Sequence, residues 1–502
     1  AEIDRPAAPI QTILQIPVQL ELQWDGSAKP SDQEQSGDWR DRLERAVNLA
    51  LATDRDQLET SGKLDVALIA RVLEDGKHAD IDQPGHYRIQ VTARRRGSMQ
   101  ATPSTESTRL RVLKLFVPST EDGGPTLPSL EKAVAEHLMG EQRQLRASIS
   151  QHASSSAARL REFNYHPTYS IVFSLMNEDS DALETSWDIK DALKAYVYPF
   201  LKDISAVSRF HVQSQVSYYS PLPIAPVAGD NGTYLTPNML PHFVNLAEWN
   251  LASTDPVLPT IHFILFVPKP KSLPMRIGGQ KGSEGPVNGF LVPQWGGVVI
   301  ANPSVLSGGG RTKRRHHFGV KELRPVMQTF IAQLRLLLGV REVGSASDTL
   351  VFDRVTPSGI STLELDNLIR YRLTQNVNQA ASTLVSLNKM VASLQSMVVQ
   401  NHIRDLANLA LERLDAVSEH LERGQLVEAF SSSVEASSLA ERAFFDPNMV
   451  GMLYFPDEHK YAIYFPFLIP AAVPVISVVL HRLKEWKQAR LGKNCRANPH
   501  PE

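Results

Sequence analysis

Exchange of bonds at a carbonyl through an acyl-enzyme needs a nucleophile beside a base, most readily a thiolate. This 502-residue sequence contains a single cysteine, Cys495, and it lies in a basic C-terminal stretch. No internal disulfide can form, and everything ahead of that stretch is without a thiol. No H-E-x-x-H, G-x-S-x-G, phosphate-loop or dinucleotide pattern occurs. His166, His211, His242 and His262 have neither a cysteine nor a second histidine at metal-ligand spacing, so each is expected to be structural, with no metal and no cofactor. Asn177-Glu178-Asp179-Ser180-Asp181 is acidic, yet it lacks the alternating order and distant glutamate of a calcium loop, and it reads as a solvated turn. Members of a Ser-His-Asp triad need not be neighbours in sequence. A serine hydrolase therefore stands as the alternative function.

The strongest single feature is physical. From Tyr461 to Leu480 no side chain is charged, and about 20 helical residues cross the roughly 30 Å hydrocarbon core of a bilayer. Arg482, Lys484, Lys487, Arg490, Lys493 and Arg496 follow, which points the tail to the cytosol. Tyr461, Tyr464 and Trp486 are placed as interfacial anchors. Pro466, Pro470 and Pro474 recur every fourth residue, on one slowly drifting helix face suited to packing among other spans. The sequon Asn231-Gly232-Thr233 predicts glycosylation and hence a lumenal body. A cytosolic tail-anchored tether would instead leave Asn231 bare. The first residues show no signal peptide and no second span, and an N-terminal anchor removed from this chain is expected.

A net charge of -2 argues against nucleic acid as a partner, because phosphate binding wants a basic face. Ile13 to Leu22 alternates like a half-buried strand, its Pro17 suggesting an edge or entry position. A helix follows through Trp39, Leu43, Val47 and Leu51, then strands over 64–72, 87–93 and 110–117 and a helix over 129–159. Thr168–Asn177, Ile261–Pro268 and Trp295–Ile300 are apolar runs expected as central strands, with a helix opening at Trp187 and a strand over 210–219. The basic knot Lys313-Arg314-Arg315-His316-His317 after a glycine run is expected as a mobile solvated loop. Apolar stripes then predict helices over 322–338, 361–398, 403–421 and 425–445. The alternation of periods predicts an α/β class: a layered lumenal domain with a mixed sheet over 1–320, a helical region near the membrane over 321–457, a transmembrane helix over 458–487 and a cytosolic tail over 488–502.

Several stretches in one order resemble a known family. They are Tyr169–Leu175, Trp187-Asp188-Ile189 with Tyr198–Leu201, Pro293–Val298, Phe330–Gly339, and Phe444-Phe445-Asp446-Pro447 through Pro456 with the span. Together they are similar to the S subunit of glycosylphosphatidylinositol (GPI) transamidase, the phosphatidylinositol-glycan class S family. The resemblance implies a noncatalytic subunit of an endoplasmic-reticulum complex that replaces a precursor's C-terminal signal with a lipid anchor. Its partners would be the protease-like K subunit, the T and U subunits and the attachment-protein subunit, in a hetero-oligomer seated in the bilayer. The family holds its lumenal domain between two spans, of which this chain shows the second. Trp295, Gly296 and Gly297, together with Phe444, Phe445, Asp446 and Pro447, are the candidate partner contacts. Pro466, Pro470 and Pro474 are the candidate packing positions in the membrane.

Overall fold

In Thr12–Trp24 (β1) every second side chain is apolar, and Leu14, Ile16, Val18 and Leu20 are all buried. The computed structural model describes residues 12–24, 38–57, 64–73, 84–94, 111–118, 127–149, 161–222, 224–229, 232–240, 258–278, 288–303, 314–341, 350–351, 359–393, 400–447 and 457–494. β1 is flanked by parallel strands Leu64–Val72 (β2) and His86–Arg94 (β3), so it is interior. Pro17 survives there because pairing with β3 begins only at Gln19, whose N–H bonds the Gly85 carbonyl. Its missing donor falls where, among the described residues, no neighbour strand yet lies. The entry reading of that proline therefore holds and the edge reading does not.

Helices Asp38–Gln57 (α1) and Leu127–Ile149 (α2) pack together against β2. Their side chains close its free edge: Gln142 accepts from the Leu68 N–H, Asn48 from Ala70, and Glu44 from Val72. Arg146 donates to the Val66 carbonyl. An edge satisfied in this way cannot template pairing with another chain. Residues 150–159, expected as the end of that helix, lie outside the described residues.

Val112–Pro118 (β4) pairs parallel to β3, and Leu350–Val351, which becomes β15 in chain order, pairs antiparallel beyond it. A second sheet is built from Thr168–Asn177 (β5), Arg209–Ser217 (β7), Thr260–Val267 (β10), Gly289–Val292 (β12) and Gly296–Ile300 (β13). In order of succession its parallel strands lie 2-1-3-4 with an antiparallel strand outside the fourth, and the first sheet has the same arrangement. In each, a helix follows the first strand and a longer one follows the fourth. In the second sheet these are Ile189–Ala192 (α3), continued through a π turn into Tyr198–Asp203 (α4), and Val320–Leu337 (α5). The opposite face of that sheet is covered by Val227–Gly229 (β8), Gly232–Leu235 (β9) and Met275–Ile277 (β11), around Met176, Ile264, Phe266 and Val298.

The basic knot is a correction. Arg314–Phe318 (β14) forms a parallel ladder with Leu183–Trp187 (β6). Arg315 pairs with Glu184, His316 with Glu322 and His317 with Asp188. Opposite charges across and beside the ladder remove the repulsion that made a solvated loop the simpler expectation.

Thr362–Ser393 (α6), Asn401–Glu422 (α7) and Leu426–Phe444 (α8) form a bundle whose seam is lined with small residues, Ala380, Ala407, Ala410, Ala436, Ala440 and Ala443, which let the helices approach closely. The first half of α6 is a brace between the sheets. On one side Asp366 takes both arms of Arg111, and Arg370 reaches Glu141 and the Tyr87 hydroxyl. On the other, Glu364 takes Arg335 from α5, and Arg372 donates to the Leu338 carbonyl at its end. Finally Asp457–Asn494 (α9) runs as one helix through all three prolines. Ala462–Gln488 within it is long and apolar enough to cross a membrane, and none of it is buried against the rest of the chain.

Candidate functional site

Open parallel sheets bind ligands at the carboxyl ends of their strands, where successive connections leave in opposite directions. In the second sheet that point lies between β5 and β10. It is filled by the chain itself. Glu178, directly after β5, accepts from Lys269 Nζ at 2.6 Å and from the Lys269 N–H at 2.9 Å. Asn177 is fully buried and donates to the Leu183 carbonyl, and Asp179 caps the N–H groups of Asp181 and Ala182. The acidic stretch is thus a hydrogen-bonded turn. Its glutamate is buried against lysine where a solvated turn was expected. Among the described residues no group of His, Cys, Asp or Glu is arranged to hold a metal.

One cluster has the residue types of a triad. Ser186 Oγ lies 2.9 Å from His317 Nδ1, and His317 Nε2 lies 3.1 Å from Asp188 Oδ1. Ser186 and His317 are directly opposed in the β6–β14 ladder, so register alone brings them together. The imidazole is reversed relative to a serine protease, where Nδ1 faces the aspartate. His317 and Asp188 are about half exposed, and the serine sits on a strand rather than a strained elbow.

The Trp295 turn has an internal explanation. The Trp295 ring stacks on His262 at 5.1 Å between centroids. A Cβ on Gly296 would fall 1.8 Å from the His262 carbonyl oxygen, and one on Gly297 2.0 Å from Gln333 Oε1. Both glycines are therefore required by the closeness of β10 and α5. The exposed residues of the turn are Pro293 and Gln294, the latter at φ 54°.

His262 itself is buried, and its Nδ1 finds no partner among the described residues. Burial lowers its pKa to about 4, from about 6.5 when unfolded. The unfolded chain thus binds the extra proton. Stability from this group is complete above about pH 6.5 and is lost as pH falls toward 4, by on the order of 3 kcal/mol. His137, half-buried on α2, is pushed down by the burial of its ring and adds to the same trend. Denaturant midpoints of the chain and of His262→Gln should diverge progressively between pH 7 and 4.5, with the unsubstituted chain losing more. A constant offset would contradict this assignment.

At the other end of the body, Phe444 packs edge-on to Phe445 and into the alanine-lined seam, whereas Phe445 is 67% exposed. His402 Nε2 meets Asp446 Oδ2 at 2.9 Å, tying the start of α7 to the end of α8. Phe445, Asp446 and Pro447 border an open groove of about 510 Å³ with Leu406 and Arg442. Of this quartet, Phe445 and Pro447 have the exposure a contact needs.

Asn231 lies outside the described residues, between β8 and β9, where Gly229 faces Gly232. His242 lies outside them too. His166 bonds the Thr168 backbone, as expected of a structural histidine. His317 and His402 meet side chains 131 and 44 residues away, partners that no sequence spacing marks.

Comparison with known proteins adds what geometry does not. The family described as "Phosphatidylinositol-glycan biosynthesis class S protein" matches residues 2–489. The human "GPI-anchor transamidase component PIGS" is 33% identical over 357 residues, 68% of this chain and 63% of that protein. The bovine protein of the same name is 35% identical over 329 residues, 64% of this chain and 58% of its own length. The "GPI transamidase component PIG-S homolog" of Schizosaccharomyces pombe is 30% identical over 338 residues, 67% of this chain and 57% of that protein. The matched part thus spans about three-fifths of each relative's length. With a match that runs through both sheets, the bundle and the apolar helix, the chain belongs to the phosphatidylinositol-glycan biosynthesis class S family.

Proposed function

We propose that this chain is a noncatalytic subunit of the GPI transamidase complex of the endoplasmic reticulum. Its sheets and bundle stand in the lumen, α9 crosses the bilayer and the basic tail lies in the cytosol. The observation that carries the reading is the family match over 2–489, whose relatives are named transamidase components. The structure gives that role a physical basis. A braced body, with a wholly exposed apolar helix leading from its bundle end, is built to hold other chains over a membrane. Transamidation needs a nucleophile whose acyl intermediate an amine can intercept. With its cysteine at 495, this chain would leave that role to the protease-like K subunit, and the T, U and attachment-protein subunits would complete the assembly. Phe445, Pro447 and the Trp295 turn are proposed contacts, and Asn231 a proposed glycosylation site.

Purification of the full chain in mild detergent tests this. The expected result is recovery of the other transamidase subunits in fixed proportion, and a mobility shift with an endoglycosidase that Asn231→Gln abolishes. Recovery of the chain alone would overturn the reading. Insensitivity to the glycosidase would turn the topology around.

The Ser186, His317 and Asp188 cluster supports a second reading, a membrane-anchored serine hydrolase. It requires Ser186 to become acylated. Its half-exposed, reversed imidazole favours the noncatalytic reading.

A further inference from the structure

A proline has no N–H, so the ladder bond it would give to the carbonyl four residues back cannot form. In α9 this happens three times in succession, at Pro466, Pro470 and Pro474. The carbonyls that lose their ladder donors are those of Ala462, Pro466 and Pro470. At about 100° per residue these lie within one sector roughly 80° wide, about 6 Å apart along the axis. They occupy the first half of the stretch from Tyr461 to Leu480 that carries no charge, from its edge to near its middle. A backbone acceptor left without a donor in hydrocarbon is costly.

Among the described residues no side chain donates to these three carbonyls. No part of the span is buried against the body. The Ser477 hydroxyl, within the apolar run, donates to the Pro474 carbonyl, one turn beyond the three in question.

We propose that this acceptor column is the docking face for a transmembrane helix of another subunit. That helix would carry hydroxyl, amide or indole donors on one of its faces at about one-turn spacing. The argument is complementarity: a row of acceptors at membrane depth is matched by a row of donors at the same depth. The inference rests on the reading of the chain as a subunit of a membrane complex, and it names the chemistry by which the span would be held there.

Val473 lies about 20° from the centre of the column and Val475 on the opposite side of the helix. Both are exposed on the chain itself. A photoreactive residue is placed at one or the other position in the full chain, assembled in native membranes. The expected result is crosslinking of the Val473 position to a span of another subunit, and of the Val475 position mainly to lipid. Pro466→Ala or Pro470→Ala restores one N–H and satisfies one carbonyl internally. Each should lower the Val473 crosslink about threefold to tenfold, in line with the strength of interhelical hydrogen bonds in membranes. The complex still recovered through its lumenal contacts serves as the internal standard.

Three outcomes would overturn the inference while leaving the complex intact: equal crosslinking from both faces, crosslinks from Val473 to lipid or to a span of this same protein, or yields unmoved by the proline substitutions. Absence of any assembled complex would instead overturn the functional reading beneath it.

Discussion

Replacing Asp366 by alanine should destabilise the folded body by about 3–5 kcal/mol, the cost of leaving a buried charge without its partner. Asp366 has no exposed surface and sits in the first turns of α6. One of its oxygens takes Arg111 Nε at 2.6 Å and the other Arg111 Nη2 at 2.9 Å. The Tyr87 hydroxyl donates to it at 3.1 Å, while Arg370 in turn donates to that hydroxyl. Alanine would strand Arg111, which is itself buried, and remove the acceptor that orients Tyr87. Arg370 would keep Glu141 and the Tyr87 hydroxyl, so α6 would lose its hold on Arg111 before its hold on α2 and β3. The measurement is the denaturant midpoint of the full chain in detergent. Asp366→Leu combined with Arg111→Met should recover much of the loss, because replacing both ions by apolar groups removes the stranded charge. A loss below about 1 kcal/mol for Asp366→Ala would show that the brace contributes little.

Gly296→Ala is the second large effect, and it acts through space alone. The added Cβ would lie 1.8 Å from the His262 carbonyl oxygen and 2.7 Å from its carbon, backbone atoms that no side-chain rotation can move aside. His262 and Gly296 are partners in the β10–β13 ladder, so relief means parting two interior strands of the second sheet. The expected cost is about 3 kcal/mol or more, at the upper end for overpacking. The His262–Trp295 stack should be lost with it, which tryptophan fluorescence would report. Gly297→Ala meets the Gln333 amide at 2.0 Å. A side chain can retreat, so its effect should be milder, and smaller still in combination with Gln333→Ala. Equal effects of Gly296→Ala and Gly297→Ala would contradict this distinction.

How much of this could be read beforehand follows from range. The alternation in β1, the apolar runs of β5 and β10, the stripes of α5, α7 and α8, and the uncharged span are local patterns, and each element falls within a few residues of its expected place. Elements held by distant charges were not legible. Arg314–Phe318 looks like a solvated basic run until Glu184, Glu322 and Asp188 arrive from elsewhere in the fold. Nothing in the spacing of Asp366 and Arg370, four apart, distinguishes them from an exposed helix pair. In the structure they face inward, to Arg111 and Glu141. The matching strand order of the two sheets has no signature that alternation or spacing reveals, since register and neighbours are set by tertiary packing.

The candidate residues divide in the same way. Gly296 and Gly297 stand out in the resemblance, and the structure supplies an internal steric reason for both. Phe445 and Pro447 stand out there as well and remain exposed beside an open groove, as a contact would require.

The central proposal is that this chain supports a transamidation without bonding to its reactants. It is tested most directly by giving the intact assembly a precursor with its C-terminal signal, withholding the lipid amine, quenching into denaturant and locating the accumulated acyl adduct by mass spectrometry. The account predicts that the precursor is attached through a cysteine of another subunit and that every peptide of this chain is unmodified. A precursor adduct on Ser186, or on any other residue of this chain, would contradict it.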